Sequence, residues 1–336
     1  MGLNIAIVPA GAWGTALAVP AAEGGHAVRL WRRTPGWTVG WDRGHRMLPW
    51  LRLPQSVVGC ESLAEAVTGE DIVILAPASA VLRDYCRWVR PHLRSDVLLV
   101  SVTKGLDPER RLRMTEVIAE ELPEHRGRIA ALSGPNFASE VAARLPTGTV
   151  VASPDLAVAE AVQGALMTSR FRVYTNADLV GVELAGALKN VVAIAAGISD
   201  GLGLGDNARA ALITRGIAEI ARLGDALGAN PLTFAGLAGV GDLVLTCTSD
   251  TSRNRRAGLA IGRGQSASQF VQETGLTVEG ITTARAAQRW ARSVGVEMPI
   301  TEHVYQVIYE GMPPLEAMDR LMNREPTHEV ARRPKL

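Results

Sequence analysis

A lysine at position 189 lies inside a run that is otherwise almost wholly apolar. Residues 179–198 read LVGVELAGALKNVVAIAAGI, and only Glu183, Lys189 and Asn190 interrupt the small and aliphatic side chains. A helix that is apolar on every side is usually buried, and a buried ammonium group is costly unless it has a partner and a lowered pKa. The run therefore predicts a functional lysine in a protein core, with Glu183 and Asn190 as partners that orient it. The alternative is a lysine that snorkels to the surface along its own stem.

A second lysine follows another apolar run. Residues 97–102 read VLLVSV, which has the length of a strand, and Lys104 comes two positions later. In an open α/β sheet the carboxyl ends of the strands face the ligand crevice, so Lys104 is a candidate ligand of a bound molecule, or else an ordinary surface lysine. A similar strand-to-helix turn at 133–138 reads SGPNFA, with proline near the first helical position.

Two further segments carry charged side chains. Asp242 ends a glycine-rich stretch that reads GVGD, and Ser252 opens a helical segment that reads SRNRR. A helix N-terminus and arginine side chains bind phosphate by two independent mechanisms. Asp242 could instead be a helix N-cap, and Arg255 and Arg256 a solvated face or a dimer contact. With the lysine run, these segments indicate a phosphate-bearing substrate beside a buried base.

A glycine-rich turn follows the first apolar run of the chain. Residues 4–8 read NIAIV, and residues 9–14 read PAGAWG. This is the dinucleotide-binding pattern GxGxxG with proline at its first glycine, where Gly11 allows the backbone to approach a pyrophosphate and Gly14 allows the helix to pack on the strand. Pro9 removes one possible N–H donor, whereas the helix start near Ala12 still offers N–H groups and its dipole to phosphate.

The end of the second predicted strand indicates which nucleotide is bound. At this position an NAD-specific enzyme usually carries an acidic residue for the ribose 2′-hydroxyl, whereas this chain has Arg32 and Arg33. Two arginines suit a 2′-phosphate, so NADP(H) is favoured and NAD(H) remains possible. The alternative is a pair of solvated arginines in a surface loop.

Bringing these residues together requires a sheet and a layer of helices. Up to about residue 178, short apolar runs alternate with helical patterns, which is typical of a parallel doubly wound sheet, and beyond it only helical patterns follow. The predicted strands are 4–8, 27–31, 71–76, 97–102, 129–132 and 149–152. The predicted fold is α/β, with an N-terminal Rossmann-type doubly wound domain over residues 1–186 and an all-α C-terminal domain over residues 187–330.

The composition excludes several classes of function. The 336 residues suffice for two domains, and a net charge of +1 gives no global field for nucleic acid or an anionic membrane. The three cysteines have no metal-like spacing, and the chain begins a strand within a few residues, so we expect a cytoplasmic protein without a resident metal. The 179–198 run is expected to be a core helix, because Glu183 and Lys189 would each cost about 3 kcal/mol in a bilayer.

These segments resemble, nearly residue for residue and in order along the chain, the bacterial NAD(P)-dependent glycerol-3-phosphate dehydrogenase family. The matching stretches are AWGTALA (12–18), TKGL (103–106), SGPNFASEVA (133–142), GVELAGALKN (181–190), GLAGVGDLVLTCTSDTSRNRR (236–256) and VEMPITEHVY (296–305). The resemblance implies the interconversion of sn-glycerol 3-phosphate and dihydroxyacetone phosphate, a supply of glycerol 3-phosphate for phospholipid synthesis, and a homodimer. The chain departs from the family pattern at Pro9, at residues 77–80, at Trp50, and at Pro20 inside the first helix.

The resemblance also implies roles for individual residues. Lys189 matches the family's proton acceptor. The matching substrate positions are Lys104, Lys189, Asp242, Ser252, Arg253 and Asn254. The matching cofactor positions are Ala12, Trp13, Arg33, Lys104, Gly134, Ala138, Arg253 and Glu279, and Arg32 stands where the family usually has a small residue. Burial and the nearby Lys104 are expected to lower the pKa of Lys189, so that it exchanges a proton near neutral pH.

Two other functions remain open at this point. One is a related reductase that acts on another phosphorylated or carboxylated hydroxy substrate. The other is a cofactor-binding paralogue with altered or lost activity, which the prolines Pro9, Pro20 and Pro77 suggest.

Overall fold

The computed structural model describes residues 2–34, 36–38, 47–326 and 328–329. In this part of the chain the apolar runs form a single sheet of eight strands. The strands are β1 (Asn4–Val8), β2 (Ala27–Trp31), β3 (Val57–Cys60), β4 (Ile72–Leu75), β5 (Leu98–Ser101), β6 (Ile129–Ser133), β7 (Thr147–Ala152) and β8 (Phe171–Asn176). Their order in the sheet is β3-β2-β1-β4-β5-β6-β7-β8. The order reverses between β1 and β4, which places a ligand crevice at the carboxyl ends of those strands.

The helices fall into two groups along the chain. Those among the strands are α1 (Ala12–Glu23), α2 (Leu63–Val67), α3 (Leu82–Val89), α4 (Met114–Glu121), α5 (Ala138–Ala142) and α6 (Leu156–Leu166). Those after the sheet are α7 (Leu179–Gly201), α8 (Gly205–Ala226), α9 (Asp242–Thr248), α10 (Arg253–Gly262), α11 (Ala267–Thr274), α12 (Glu279–Ser293), α13 (Pro299–Tyr309) and α14 (Pro314–Met322). A 3-10 turn, Ser79–Val81, precedes α3, and a π-helical turn, Leu237–Gly241, precedes α9.

The first half is a doubly wound sheet with a core on each face. Alternate residues of β1 point to opposite sides: Ile5 and Ile7 belong to one buried cluster, and Ala6 and Val8 to the other. Burial on both faces explains why β1 reads as a continuous apolar run. The predicted fold, an α/β sheet domain followed by an all-helical half, is confirmed.

The sheet differs from the prediction in direction and in extent. It is not parallel throughout, because β7 runs antiparallel to β6 while β8 runs parallel to β7. An apolar run is equally apolar in either direction, so its composition cannot report this reversal. Two strands were not predicted: β3 has only four residues, VVGC, and β8 alternates buried Phe171 and Val173 with exposed Arg172 and Tyr174.

In the second half, the sequence predicts helical segments at 178–199, 207–227, 231–235, 253–262, 282–295, 302–310 and 314–322. The helices α9 and α11 and the π-helical turn are not among them. A signal for α11 was present, because Ser266 and Gln269 form a capping box at its start. The segment that forms α9, Asp242–Thr248, follows the glycine-rich sequence GLAGVG and has no helical prediction. The structure instead places Asp242 in the first turn of a helix.

The helix α7 is the centre of the second half. It begins at an Asp178 cap, whose carboxylate accepts the N–H of Gly181 at 2.9 Å, and all its residues from Gly181 to Ser199 are buried. By length and composition α7 could cross a membrane, but 89% of its most apolar window is buried inside the protein. This agrees with the interpretation of the run as a core helix.

Glycines allow α10 to pack directly on the backbone of α7. A Cβ atom on Gly197 of α7 would overlap the Arg255 carbonyl, and one on Gly258 of α10 would overlap the Ile194 carbonyl. Gly201 and Gly262 make a second pair of such approaches one turn further along. Close backbone packing therefore fixes the start of α10 relative to the lysine-bearing stretch of α7.

Candidate active site

The ammonium group of Lys189 is buried, which contradicts the snorkelling alternative. The residue is 7% exposed, and its Nζ donates to Asp242 Oδ1 at 2.5 Å and to Thr246 Oγ1 at 2.7 Å. The Thr246 hydroxyl in turn donates to the Asp242 carbonyl at 2.7 Å. Since an ammonium has three N–H donors, one is left for a ligand beyond these two partners.

Asp242 joins the two lysines of the site. Its Oδ1 accepts from Lys189, and its Oδ2 accepts from Lys104 Nζ at 2.8 Å. Lys104 also donates to the Gly134 carbonyl at 2.7 Å, so the alternative of an ordinary surface lysine is wrong. The alternative of an N-cap aspartate is also wrong, because Gly241 is the N-cap and Asp242 is the first residue of α9. Two ammonium groups and one carboxylate leave a local charge of about +1, which attracts an anionic substrate.

The environment of Lys189 lowers the pKa of its ammonium to about 8. Burial is the largest cause, and the charge of Lys104 acts in the same direction, whereas Asp242 opposes both. The direction and both lowering causes agree with the sequence prediction. An amine with this pKa exchanges its proton near neutral pH, as general acid–base chemistry requires.

The thiol of Cys247 is close to this lysine but stays protonated. Burial raises the pKa of Cys247 to about 12, and the charge of Lys189 lowers it only in part. The thiol is therefore a packing group here and not a nucleophile.

Two asparagine side chains, through three hydrogen bonds, connect the elements around the lysines. Asn190 Nδ2 donates to the Lys104 carbonyl at 3.1 Å, and Asn190 Oδ1 accepts from Asn254 Nδ2 at 2.8 Å. Asn254 Oδ1 then accepts from the Gly280 N–H at 2.9 Å. This buried chain links the loop after β5 to α7, α10 and α12, and it fixes their spacing because each step is one hydrogen bond long.

The expectation that Glu183 and Asn190 orient Lys189 is wrong. Glu183 accepts from Arg113 and from the N–H and hydroxyl of Thr115, on another side of α7. Six residues along a helix turn a side chain by about 240°, so Glu183 cannot face the same way as Lys189. Asn190 positions Lys104 instead.

The turn after β1 retains the form of a dinucleotide site despite Pro9. A Cβ on Gly11 would meet open space, whereas one on Gly14 would lie 2.6 Å from the Pro9 carbonyl and 3.5 Å from the Ala76 side chain. Gly14 therefore permits the close packing of α1 on the sheet, and Gly11 leaves the approach to the first turn of α1 free. Pro20 lies in the last turn of α1, which continues to Glu23.

Trp13, in the first turn of α1, supplies an unsatisfied donor. Within the described residues its indole Nε1 is buried and has no hydrogen-bond partner. The first N–H groups of α1, including that of Ala12, have no partner inside the helix by construction. These donors and the open space at Gly11 fit a bound dinucleotide.

Arg32 and Arg33 follow β2 and are exposed. The Arg33 guanidinium lies 5.9 Å from the centre of the Trp88 ring, and that ring is 5.0 Å from the Tyr85 ring. A cation over an aromatic face at this distance is held without losing its charge. The geometry leaves both guanidinium groups accessible to an anionic ligand.

The turn after β6 holds Gly134 and Ala138. Gly134 has φ +149°, and a Cβ there would lie 2.9 Å from the Cα of Thr149, so no other residue fits without strain. Asn136 fixes this turn through the Gly148 carbonyl at 3.2 Å and the Thr149 hydroxyl at 3.0 Å. Ala138 begins α5.

The start of α10 places an arginine beside the site. Ser252 Oγ accepts from the Arg255 N–H at 3.2 Å, so the predicted capping serine is confirmed. Arg253 follows and is exposed, whereas the Arg255 guanidinium is held by Asp200 at 2.7 Å. Glu279, at the start of α12, bears a charge that acts on Arg253. Of the arginines in this turn, Arg253 and the exposed Arg256 stay accessible to a ligand.

The structure thus brings together residues that are far apart in sequence, and it adds others that sequence reasoning missed. The omitted residues are Thr246, which binds Lys189, and Ser79, which binds Glu279. Thr246 lies four positions after Asp242, so a helical prediction for that segment would have placed both on one face. No local signal pointed to Ser79.

A large cavity lies away from the lysine cluster. It has a volume of about 970 Å³ and lies between α7, α8, α13 and α14, with walls that include Leu212, Val304 and Leu321. It faces the side of α7 that carries Ser199, and neither Lys189 nor Asp242 lines it.

A dinucleotide turn on a doubly wound sheet, with a buried lysine of lowered pKa facing its crevice, defines a nicotinamide-nucleotide-dependent dehydrogenase. The family model described as "NAD-dependent glycerol-3-phosphate dehydrogenase N-terminus" matches residues 4–159 of this chain. The family model of the corresponding C-terminus matches residues 178–319. The chain belongs to the NAD-dependent glycerol-3-phosphate dehydrogenase family.

Relatives and solved structures agree with this assignment over nearly the whole chain. Glycerol-3-phosphate dehydrogenase [NAD(P)+] of Symbiobacterium thermophilum is 69% identical, over 98% of this chain and 96% of its own. The enzyme of the same description from Geobacillus thermodenitrificans is 49% identical, over 97% and 96%. The crystal structure of glycerol-3-phosphate dehydrogenase from Coxiella burnetii is 38% identical, covers 96% of this chain and 99% of its own, and superposes with a TM-score of 0.90.

Proposed function

We propose that this protein interconverts dihydroxyacetone phosphate and sn-glycerol 3-phosphate with a nicotinamide nucleotide, NADP(H) being favoured and NAD(H) possible. The observation that carries the proposal is the Lys189–Asp242–Lys104 cluster at the crevice of the sheet. It combines a proton-exchanging amine with a net positive charge, as a phosphorylated ketone requires. The names of the relatives support the substrate.

Lys189 is the proposed proton-transfer group. In the reductive direction the protonated amine donates a proton to the carbonyl oxygen, and in the oxidative direction the neutral amine takes the hydroxyl proton. The third N–H of the Lys189 ammonium, for which no described residue is an acceptor, is the one that would face the substrate oxygen. Asp242 and Thr246 hold the nitrogen so that its proton is aimed and not free to rotate away.

The phosphate of the substrate is proposed to bind at the start of α10. There Arg253, the hydroxyl of Ser252 and the helix N-terminus present positive potential and donors, and Asn254 anchors the turn to α7. Lys104 and Asp242 would bind the remaining polar atoms of the substrate. Binding energy from the phosphate then positions the reacting carbon beside Lys189.

The proposed cofactor residues are those that line the crevice from the other side. Ala12 and Trp13 would bind the pyrophosphate, Arg32 and Arg33 the 2′-phosphate of the adenosine ribose, and Gly134 and Ala138 would allow close approach at the β6 turn. Lys104, Arg253 and Glu279 complete the set between the two halves. When bound, the nicotinamide supplies the hydride acceptor or donor of the reaction.

Three broader features belong to the same proposal and rest on the family resemblance. We infer a homodimer, a cytoplasmic location and a role in supplying glycerol 3-phosphate for phospholipid synthesis. We also infer that a nucleotide-binding domain of residues 1–186 joins a substrate domain of residues 187–330 inside α7. Light scattering of the purified protein tests the dimer, and a monomeric mass would contradict it.

One assay tests the reaction. NADPH oxidation, followed by absorbance, is measured with dihydroxyacetone phosphate and, in parallel, with unphosphorylated dihydroxyacetone and a 2-keto acid. Turnover confined to the phosphorylated ketone supports the proposal. Turnover of the keto acid alone would indicate a related reductase, and NADPH binding without any turnover would indicate a paralogue that has lost activity.

A further inference from the structure

Ser79 and Glu279 form a contact between the two halves of the molecule. The Ser79 N–H donates to Glu279 Oε1 at 3.0 Å, and the Ser79 hydroxyl donates to Oε2 at 2.5 Å. Ser79 opens the 3-10 turn after β4, and the residue before it, Ala78, provides no side-chain cap. A carboxylate from the helical half therefore caps a turn of the nucleotide half.

The loop after β5 meets the same point. A Cβ on Gly105 would lie 2.6 Å from the Ser79 Cβ and 3.0 Å from Glu279 Oε2. The neighbouring Thr103 hydroxyl donates to the Pro77 carbonyl at 2.8 Å. Of the two residues that flank Lys104, Gly105 packs against the Ser79–Glu279 contact, and Thr103 is hydrogen-bonded to the same loop after β4.

The carboxylate is committed to this contact. Burial raises the pKa of Glu279, and the two hydrogen bonds from Ser79 and the charge of Arg253 oppose the rise. A buried carboxylate that lost these donors would be left with its desolvation cost uncompensated. The hydrogen bonds from Ser79 therefore stabilise the Glu279 carboxylate, and with it the start of α12, at this position.

We propose that Ser79 is a positioning residue. Its two hydrogen bonds to Glu279, together called the latch, join the loop after β4 to the start of α12 and so hold Lys104 in its position relative to Lys189. The proposal rests on the proposed function, because correct register matters only if both lysines act on one substrate. The turn after β1, Arg32 and Arg33 lie outside this contact, whereas Lys104 and Glu279 also belong to the proposed cofactor set. Loss of the Ser79 hydroxyl should therefore lower turnover by a larger factor than it weakens NADPH binding. Misplacement of a reacting group by about 1 Å can lower a rate about 100-fold.

The test compares Ser79→Ala with Ser79→Thr, which keeps the hydroxyl, in the full-length protein. NADPH affinity is measured by fluorescence titration, and kcat and KM are measured with dihydroxyacetone phosphate. We expect Ser79→Ala to lower kcat by at least tenfold while the NADPH Kd changes by less than threefold, and Ser79→Thr to recover most of the lost kcat. Ser293→Ala is the matched control, because it removes a serine hydroxyl from the far end of α12, where it bonds the Trp290 carbonyl.

Three results would overturn the latch. They are a kcat for Ser79→Ala within twofold of the parent, an equal loss in Ser79→Thr, and an equal loss in Ser293→Ala. Should the parent itself not turn over dihydroxyacetone phosphate, the proposed function fails, and hydrogen–deuterium exchange then tests the latch alone. Faster exchange over residues 79–82 and 280–284 in Ser79→Ala, restored in Ser79→Thr, supports the latch, and unchanged exchange contradicts it.

Discussion

The two ends of the site are prepared in different ways. At the lysine end, Lys189, Asp242 and Lys104 already have protein partners at 2.5–2.8 Å. At the nucleotide end, Trp13 Nε1 has no partner among the described residues, and Arg32 and Arg33 are exposed. The first arrangement fixes the proposed proton-transfer group before substrate arrives, whereas the second leaves donors that a ligand would satisfy. The position of Lys189 is thus set by bonds within the protein, whereas the proposed choice of cofactor depends on the accessible charge of Arg32 and Arg33.

The largest effect should come from breaking the lysine end. We expect Lys189→Met, which keeps most of the stem volume in the core, to lower kcat for dihydroxyacetone phosphate by about 10³-fold, since general acid–base catalysis contributes about 10²–10⁴-fold. The NADPH Kd, measured by fluorescence titration, should change little because the nucleotide end is untouched. Retention of near-normal turnover by a variant that melts like the parent would exclude Lys189 as the proton-transfer group.

How far the two ends could be predicted differs for a physical reason. The burial of Lys189 followed from its neighbours in sequence, because a helix apolar on all sides must lie inside. Its partner Asp242 is 53 residues away, and Lys104 is 138 residues from Asp242, so their meeting depends on how α9 and the β5 loop pack. The resemblance to a family suggested which residues share the site, but not the bonds between them.

The same limit explains the errors. Glu183 was paired with Lys189 because both interrupt one apolar run, yet a helix turns them to different sides. The reversal of β7 and the contact between Ser79 and Glu279 depend on tertiary packing across the sheet and between the halves. Around β1, by contrast, the turn, the glycines and the helix start are consecutive, and local chemistry was sufficient.

The second-largest effect should appear in the pH dependence of the reaction, which tests the pKa of Lys189. With the pKa of Lys189 lowered to about 8, the neutral amine is scarce at pH 6 and makes up about half of the enzyme at pH 8. The kcat/KM for glycerol 3-phosphate oxidation should therefore rise about 50-fold between these values, and the reductive reaction, which needs the protonated amine, should fall above pH 8.

The variant Asp242→Asn tests whether Lys189 controls this pH profile. Because Asp242 raises the pKa of Lys189, Asp242→Asn should move the rising limb to lower pH. A profile that does not move would show that another group controls it. Cofactor stability at each pH is controlled by following NADPH without enzyme.

The nucleotide end should show a smaller and more selective effect. We expect Arg33→Asp to shift the NADPH-over-NADH preference in kcat/KM by at least about tenfold towards NADH, because a charge-assisted hydrogen bond to the 2′-phosphate is lost and a repulsion is introduced. Arg126→Asp makes the same charge change at an exposed position in the 3-10 segment Pro123–Arg128 and serves as the control. An unchanged preference in Arg33→Asp, or an equal shift in the control, would refute the role of Arg33.

Pro9 should have the smallest effect, because the rest of its turn is intact. Pro9→Gly restores one N–H donor at the start of the turn, and one such hydrogen bond is worth about 0.5–1.5 kcal/mol, so the NADPH Kd should fall by roughly two- to tenfold. Glycine also increases the freedom of the unfolded chain, so the melting temperature should drop slightly. Pro54→Gly controls for that loss, because it exchanges the same residue types at a bend before β3. Weaker or unchanged NADPH binding in Pro9→Gly would contradict this prediction. The open space at Gly11 and the donors of α1 would then determine the NADPH affinity, and Pro9 would not lower it.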